Sequence, residues 1–176
     1  MTELRVYGLG VIDSVSPLVY WGLLVVFCLG LMLLLWWKGL REGLRYSAVL
    51  LLVEWVMVVL AMTVVFRVPR AERGLSLIPL VSYFDYGTNS YFMEKAALNI
   101  LNVALFLPIG LLLGCGFRNN TWQKVFATGA GLSVLIELMQ LIFKRGLCET
   151  DDVIHNVVGC MIGYGVAFLL TRIGTK

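Results

Sequence analysis

Long apolar runs separated by short polar segments dominate this chain. A helix of about 20 apolar residues crosses roughly 30 Å of hydrocarbon, and five runs reach that length. The runs cover residues 17–37, 45–66, 97–117, 122–143 and 152–171. The pattern therefore predicts an all-α fold, in which about five spanning helices form one polytopic transmembrane bundle within a single membrane domain, residues 1–176.

A polar stretch, residues 67–96, separates the second and third runs. It opens with three arginines and continues with a short apolar piece, 75–81, that is interrupted by Pro79 and followed by several aromatic residues. The apolar piece is too short to span, and aromatic side chains favour the level of the lipid headgroups. The stretch therefore predicts an interfacial or re-entrant segment after the second span.

Composition and charge agree with a membrane protein. The chain is 60% hydrophobic and 14% charged, whereas a soluble domain is about half apolar and a quarter charged. Its net charge of +3 is spread between the apolar runs, and nucleic-acid binding would need a basic patch. Basic residues divide equally between the two sides of a five-helix bundle, so the acidic residues alone favour an external N-terminus. The oligomeric state stays open.

Three of the runs carry polar side chains at helical spacing. An ionisable residue in hydrocarbon costs at least about 2.5 kcal/mol, so such stripes should face protein or water. Glycines continue two of the stripes and allow close helix packing. The polar members are Asn99 and Asn102 in the third run, Ser133, Glu137 and Gln140 in the fourth, and Asp152 and Asn156 in the fifth.

Packing these faces together predicts a ligand-binding site near the membrane surface that carries the loops 67–96 and 144–151. Amides and carboxylates suit sugar hydroxyls, and a guanidinium suits a phosphate. The same groups have a structural alternative, in which the asparagines bond neighbouring helices and the aspartates cap the fifth helix. The predicted ligand-binding residues are Asn99, Asn102, Glu137, Gln140, Arg145, Asp151, Asp152 and Asn156.

Glu54 lies alone near the middle of the second run. It could join the cavity, remain protonated in the core, or pair with an asparagine. The four cysteines form no CxxC pair and His155 is the only histidine, so neither a metal site nor a cofactor is expected. The sequence lacks the motifs of phosphate loops, serine hydrolases and zinc proteases, and no catalytic residue can be assigned.

Four short motifs occur in order. One is N-x-x-x-F-x-P-x-G from Asn102, the next is E-x-x-Q from Glu137, and a loop with Arg145 and paired aspartates precedes N-x-x-G-x-x-x-G from Asn156. Over about residues 70–170 this arrangement resembles the VanZ-like family, and the piece SLIPL (76–80) is similar to the family's NLIPF segment. The resemblance implies a multi-pass protein of the bacterial cell membrane, linked to resistance to the glycopeptide teicoplanin, and it names no reaction.

Three functional hypotheses remain open at this point. The first is a non-enzymatic protein that binds an envelope lipid or a lipid-linked cell-wall precursor, or limits access of the glycopeptide. The second is an intramembrane enzyme in which Glu137 acts with Asp151 or Asp152 as acid and base, or holds Mg²⁺. The third is a flippase or transporter, a hypothesis based on the helix break at Pro108 and Gly110 and on the intramembrane Glu54. Membrane lipids are the expected partners in each case.

Overall fold

The computed structural model describes residues 40–80, 83, 89–117 and 119–173. These residues contain four long helices and two short strands, so the all-α class is confirmed. The first predicted run, 17–37, lies outside the described residues. The helices are α1 (Leu40–Leu60), α2 (Asn89–Gly116), α3 (Trp122–Phe143) and α4 (Thr150–Ile173), and the strands are β1 (Gly74–Ser76) and β2 (Leu147–Glu149).

Each of the four helices is long and apolar enough to cross a membrane. A helix of 22 residues measures about 33 Å at 1.5 Å per residue, which matches a bilayer core. Helix α2 begins at Asn89, ahead of the predicted run 97–117, because an apolar run marks the buried part of a helix and not its polar first turns. The four candidate spans are Gly43–Val65, Lys95–Gly116, Trp122–Phe143 and Thr150–Thr171, and they describe a multi-pass membrane protein.

Helices α2 and α4 pack backbone against backbone. A Cβ atom placed on Gly159 would overlap the carbonyl oxygen of Val103, and one on Gly163 would overlap that of Leu107. Gly110 of α2 meets the α4 backbone in the same way. Small residues allow this approach in membrane bundles, where van der Waals contact drives helix association. The polar side chains of these two helices are thereby brought into one interface.

Helix α1 packs against α2 near Pro108. Proline lacks an N–H and disturbs the hydrogen bonds of the preceding turn, although α2 continues through it. In that turn the carbonyl oxygen of Leu105 accepts a hydrogen bond from Trp55 Nε1 at 2.8 Å. Helix α1 then ends in a π-helical turn, Ala61–Val65, whose hydrogen bond from Phe66 N to Ala61 O measures 2.9 Å.

A strap, defined as residues 67–80, crosses the end of the bundle where α1 and α3 finish and α4 begins. Its strand β1 pairs in parallel with β2, with Gly74 opposite Leu147. The N–H of Arg70 also donates to the carbonyl oxygen of Lys144 at 2.7 Å. The apolar pattern did not predict this two-stranded sheet, because a strand of three residues is too short to show a periodic pattern. The strap's apolar side chains Leu75, Leu77 and Ile78 are exposed.

Candidate functional site

One hydrogen bond joins the polar faces of α2 and α4. Asn102 Nδ2 donates to Asp152 Oδ1 at 2.8 Å, and both side chains are half-buried. Asn99 lies on the same face of α2 and is buried. The close backbone approach produced by the glycines brings the Asn102 amide within reach of the carboxylate.

The polar stripe of α3 faces the interior of the bundle. Ser133, Glu137 and Gln140 are all buried. Ser133 Oγ accepts a hydrogen bond from Asn156 Nδ2 of α4 at 2.9 Å, and Glu137 Oε2 accepts one from the backbone N–H of Glu149 at 3.0 Å. The carboxylates of Glu137 and Asp152 are close enough to repel each other when both are ionised. The stripes of three helices therefore meet at one end of the bundle.

Two predicted ligand residues contact the end of α1. Gln140 Nε2 donates to the carbonyl oxygen of Thr63 at 3.1 Å. Arg145 Nη1 donates to the carbonyl oxygens of Val64 at 3.3 Å and Arg67 at 3.2 Å, and also to that of Val65. The last carbonyls of a helix lack partners within it, and a guanidinium supplies several donors to them. Arg145 thus stabilises the end of α1, and its role as a phosphate ligand stays a prediction.

Two basic residues outside the predicted set also belong to this end of the bundle. Lys95 Nζ forms a 2.9 Å ion pair with Glu149 Oε1, with the two side chains 20% and 13% exposed. The charge of Arg67 acts on both Glu137 and Asp152. Lys95 could have been found, because it extends the stripe of Asn99 and Asn102 at a spacing of four. Arg67 lies beyond the end of α1, where helical spacing gives no signal.

Asp151 fastens the strap to α4. Its side chain is buried, and Oδ1 accepts a hydrogen bond from the N–H of Leu80. His155 lies one turn further along, with Nδ1 bonded to the Asp151 carbonyl oxygen at 2.6 Å and Nε2 bonded to the Tyr83 hydroxyl at 2.7 Å. These bonds give Asp151 and His155 a structural role beneath the strap.

The polar cluster is defined as the polar side chains that gather at this end of the bundle. Its base is buried, whereas Lys95, Asn102, Glu149 and Asp152 form a half-buried rim. Within the described residues, no group of three His, Cys, Asp or Glu is arranged to hold a metal ion. The cluster consists of Lys95, Asn99, Asn102, Ser133, Glu137, Gln140, Glu149, Asp151, Asp152 and Asn156.

Comparison with known proteins assigns the chain to a family. The family model described as VanZ/LLP1 matches residues 47–171, which includes the whole polar cluster. This chain belongs to the VanZ/LLP1 family. It is 34% identical over 99 residues to Protein VanZ of Enterococcus faecium, an alignment that covers 54% of this chain and 55% of that protein. The chain thus spans about half the length of this curated relative. No solved structure matches it.

Glu54 lies apart from the polar cluster of this VanZ/LLP1 protein. It is half-buried in the middle of α1, about 16 Å along the helix from Val65 at 1.5 Å per residue. Within the part of the chain that the structure describes, it forms no hydrogen bond or ion pair. The predicted alternatives of joining the cavity or pairing with an asparagine are therefore not observed among these residues.

The rim of the cluster offers both kinds of hydrogen-bonding group. The Asn102 amide and the Lys95 ammonium are donors, and the Glu149 and Asp152 carboxylates are acceptors. Lys95, Glu149 and Asp152 lie at or beside the ends of candidate spans, and lipid headgroups meet water at the ends of spanning helices. In this VanZ/LLP1 protein the rim is therefore suited to a ligand rich in hydroxyl and amide groups.

Proposed function

We propose that this VanZ/LLP1 protein lies in the bacterial cell membrane and contributes to teicoplanin-type glycopeptide resistance. It does so by binding the headgroup of an envelope lipid, or of a lipid-linked cell-wall precursor, at the polar cluster. One observation carries the proposal: polar side chains from α2, α3, β2 and α4 meet at one end of the bundle, with Asn102 bonded to Asp152 at its rim. The resistance context comes from family membership and from the relative named Protein VanZ.

The energetics of membrane proteins support a binding role. Carboxylates inside spanning segments are costly, and they commonly mark ligand or ion pathways. Glu137 and Asp152 lie within candidate spans, and their carboxyl groups are near enough to interact electrostatically. A protein that required only helix association could use the small-residue packing of α2 and α4 without these carboxylates.

The expected orientation places the cluster where a glycopeptide acts. With an external N-terminus and five spans, the strap and β2 face the outside of the cell. Cell-wall precursors carry their sugar and peptide groups on that side, and amide and carboxylate groups recognise both by hydrogen bonding. A headgroup held at the rim would be shielded from the drug.

A susceptibility assay tests the proposal. The chain is expressed in a teicoplanin-susceptible bacterial host, and the minimal inhibitory concentration is measured beside the amount of protein in the membrane. Asn102→Ala and Asp152→Asn should lose most of the resistance at an unchanged protein level. Asn119→Ala and Gln123→Glu alter exposed positions with similar chemistry, and they should keep the wild-type value. Equal resistance in all four variants would contradict a role for the cluster.

Photocrosslinking identifies the bound molecule. A benzophenone amino acid at Val153, next to Asp152, is compared with the same group at Leu169, which is exposed near the far end of α4. We expect the first position to capture a sugar-bearing or phosphate-bearing lipid that the second does not. Capture of the same lipids from both positions would indicate bulk membrane and no site.

A further inference from the structure

A buried side-chain oxygen of the polar cluster has no partner within the described residues. Gln140 is 2% exposed, and its Oε1 atom makes no hydrogen bond there. The amide cannot be turned over to solve this, because Nε2 donates to the Thr63 carbonyl oxygen at 3.1 Å. A buried acceptor without a partner costs about 1–3 kcal/mol. This oxygen is therefore in place for a donor that comes from outside the described residues, and a bound ligand is one such donor.

Gly146 allows this oxygen and the Arg67 guanidinium to approach its backbone closely. A Cβ atom at Gly146 would lie 2.9 Å from Gln140 Oε1 and 2.7 Å from Arg67 Nη1. Any side chain there would press on both groups, and a φ of 154° also favours glycine. The Gln140 subsite, defined as Arg67, Gln140 and Gly146, therefore brings an acceptor oxygen and a guanidinium to the same side of one glycine.

The chemistry of the subsite selects a class of ligand. Gln140 Oε1 accepts a hydrogen bond and suits a hydroxyl group, and the Glu137 carboxylate one turn away on α3 is a second acceptor. The guanidinium of Arg67 presents donors alone and matches the oxygens of a phosphate. A headgroup that carries only an amine would meet the acceptors but would be repelled by the arginine. A phosphate without hydroxyls would leave Gln140 Oε1 unpaired.

We propose that the lipid bound by this protein carries a phosphate with a free hydroxyl close to it, as in a glycerol phosphate or a sugar phosphate. The phosphate lies at Arg67, and the hydroxyl donates to Gln140 Oε1. The inference rests on the proposed lipid-binding function and adds the chemical class of the headgroup. An internal water is the other donor that could satisfy Gln140, and the experiment separates the two.

Two matched lipids provide the test. Phosphatidylglycerol and phosphatidylethanol with identical acyl chains are both phosphodiesters with one negative charge, and only the first has headgroup hydroxyls. Native mass spectrometry of the full chain in detergent measures the affinity for each lipid. One hydrogen bond to a neutral acceptor corresponds to a preference for phosphatidylglycerol of about 3- to 10-fold. We expect that preference in the wild-type protein.

Variants assign the preference to the subsite. Gln140→Met keeps the volume and removes the acceptor, so the preference should fall to about onefold while phosphatidylethanol binds as before. Gln140→Glu keeps an acceptor oxygen and should retain the preference. Arg67→Gln should lower the affinity for both lipids by the same factor. Gln123→Met makes the matched substitution at an exposed position and should behave as wild type.

The outcomes separate this inference from the proposed function. Equal binding of the two lipids by the wild-type protein overturns the inference, whether or not any variant folds. A preference that survives in Gln140→Met also overturns it, because the headgroup hydroxyl is then recognised somewhere other than at Gln140. Both results are compatible with lipid binding at the rim. Lipid binding that neither Asn102→Ala nor Asp152→Asn reduces contradicts the proposed function itself.

Discussion

Asn102 Nδ2 donates to Asp152 Oδ1 at 2.8 Å across the interface between α2 and α4. The bond lies next to a place where the two backbones approach each other closely, at Val103 and Gly159. Its geometry therefore depends on glycine packing as well as on the two polar residues. The interface that holds the helices together also forms the rim of the polar cluster.

A double-mutant cycle measures the contribution of this bond to stability. Asn102→Ala leaves the half-buried carboxylate without its amide donor and should lower the free energy of unfolding by about 1–3 kcal/mol. The coupling energy between Asn102→Ala and Asp152→Ala should be about 0.6 kcal/mol and at most about 1.7 kcal/mol, as for interhelical bonds in other membrane bundles. Reversible unfolding in mixed micelles gives these values. Strictly additive effects would show that the bond contributes nothing.

The close packing of α2 and α4 at their glycines can be tested separately. Gly163→Ala places a methyl group against the Leu107 carbonyl oxygen, and overpacking of this kind costs about 1–3 kcal/mol. Gly165→Ala is the matched control, because a Cβ atom at that position meets nothing within 4 Å. Thermal unfolding in detergent should show a lower melting temperature for the first variant and an unchanged or slightly higher one for the second. Similar losses in both variants would contradict the close approach.

We expect Arg145 to stabilise the protein through its hydrogen bonds to the end of α1. Arg145→Gln removes the charged donor to the carbonyl oxygens of Val64 and Arg67, and we expect a loss of about 1.5–3 kcal/mol in the free energy of unfolding. Lys144→Gln, at the adjacent exposed position, should have little effect. Denaturant unfolding of the two variants in micelles provides the comparison. Equal stability of both would mean that the contacts of Arg145 with α1 contribute nothing measurable.

Cys148 gives a pH-dependent readout of the cluster. Burial raises the pKa of this thiol, and the nearby negative charges of Glu137 and Asp152 raise it further. A raised pKa means less thiolate, the reactive form, at a given pH. Cys148 should therefore react slowly with iodoacetamide at neutral pH and faster as the pH rises. Glu137→Gln removes one of the charges and should shift the rate profile to lower pH.

Peptide mapping by mass spectrometry follows Cys148 without altering the other cysteines. Gln123→Glu is the control, because it adds a charge at an exposed position at the opposite end of α3 from Cys148. It should leave the pH dependence of the reaction rate unchanged. A profile for Glu137→Gln that coincides with the wild-type one would indicate that the carboxylate does not act on the thiol.

The helical stripes of the site were predictable from particular residues. Asn99 and Asn102, like Glu137 and Gln140, are separated by three positions, and a helix places such residues on one face whatever surrounds it. The membrane then adds a one-sided constraint, because a polar face in hydrocarbon must turn toward protein or water. The bounds predicted for α3, 122–143, also agree with the structure, because polar residues flank the apolar run on both sides.

The sequence by itself thus determined the spanning helices and the faces they turn toward one another, since bilayer thickness and helical periodicity act on local stretches of chain. Only the tertiary structure decided what Arg145, Lys95 and Arg67 contact, and that the strap pairs with β2. Arg145 and Val64 are 81 positions apart, and the loops that carry such residues have no periodicity. Contacts of this kind depend on how the complete bundle brings the helix ends together.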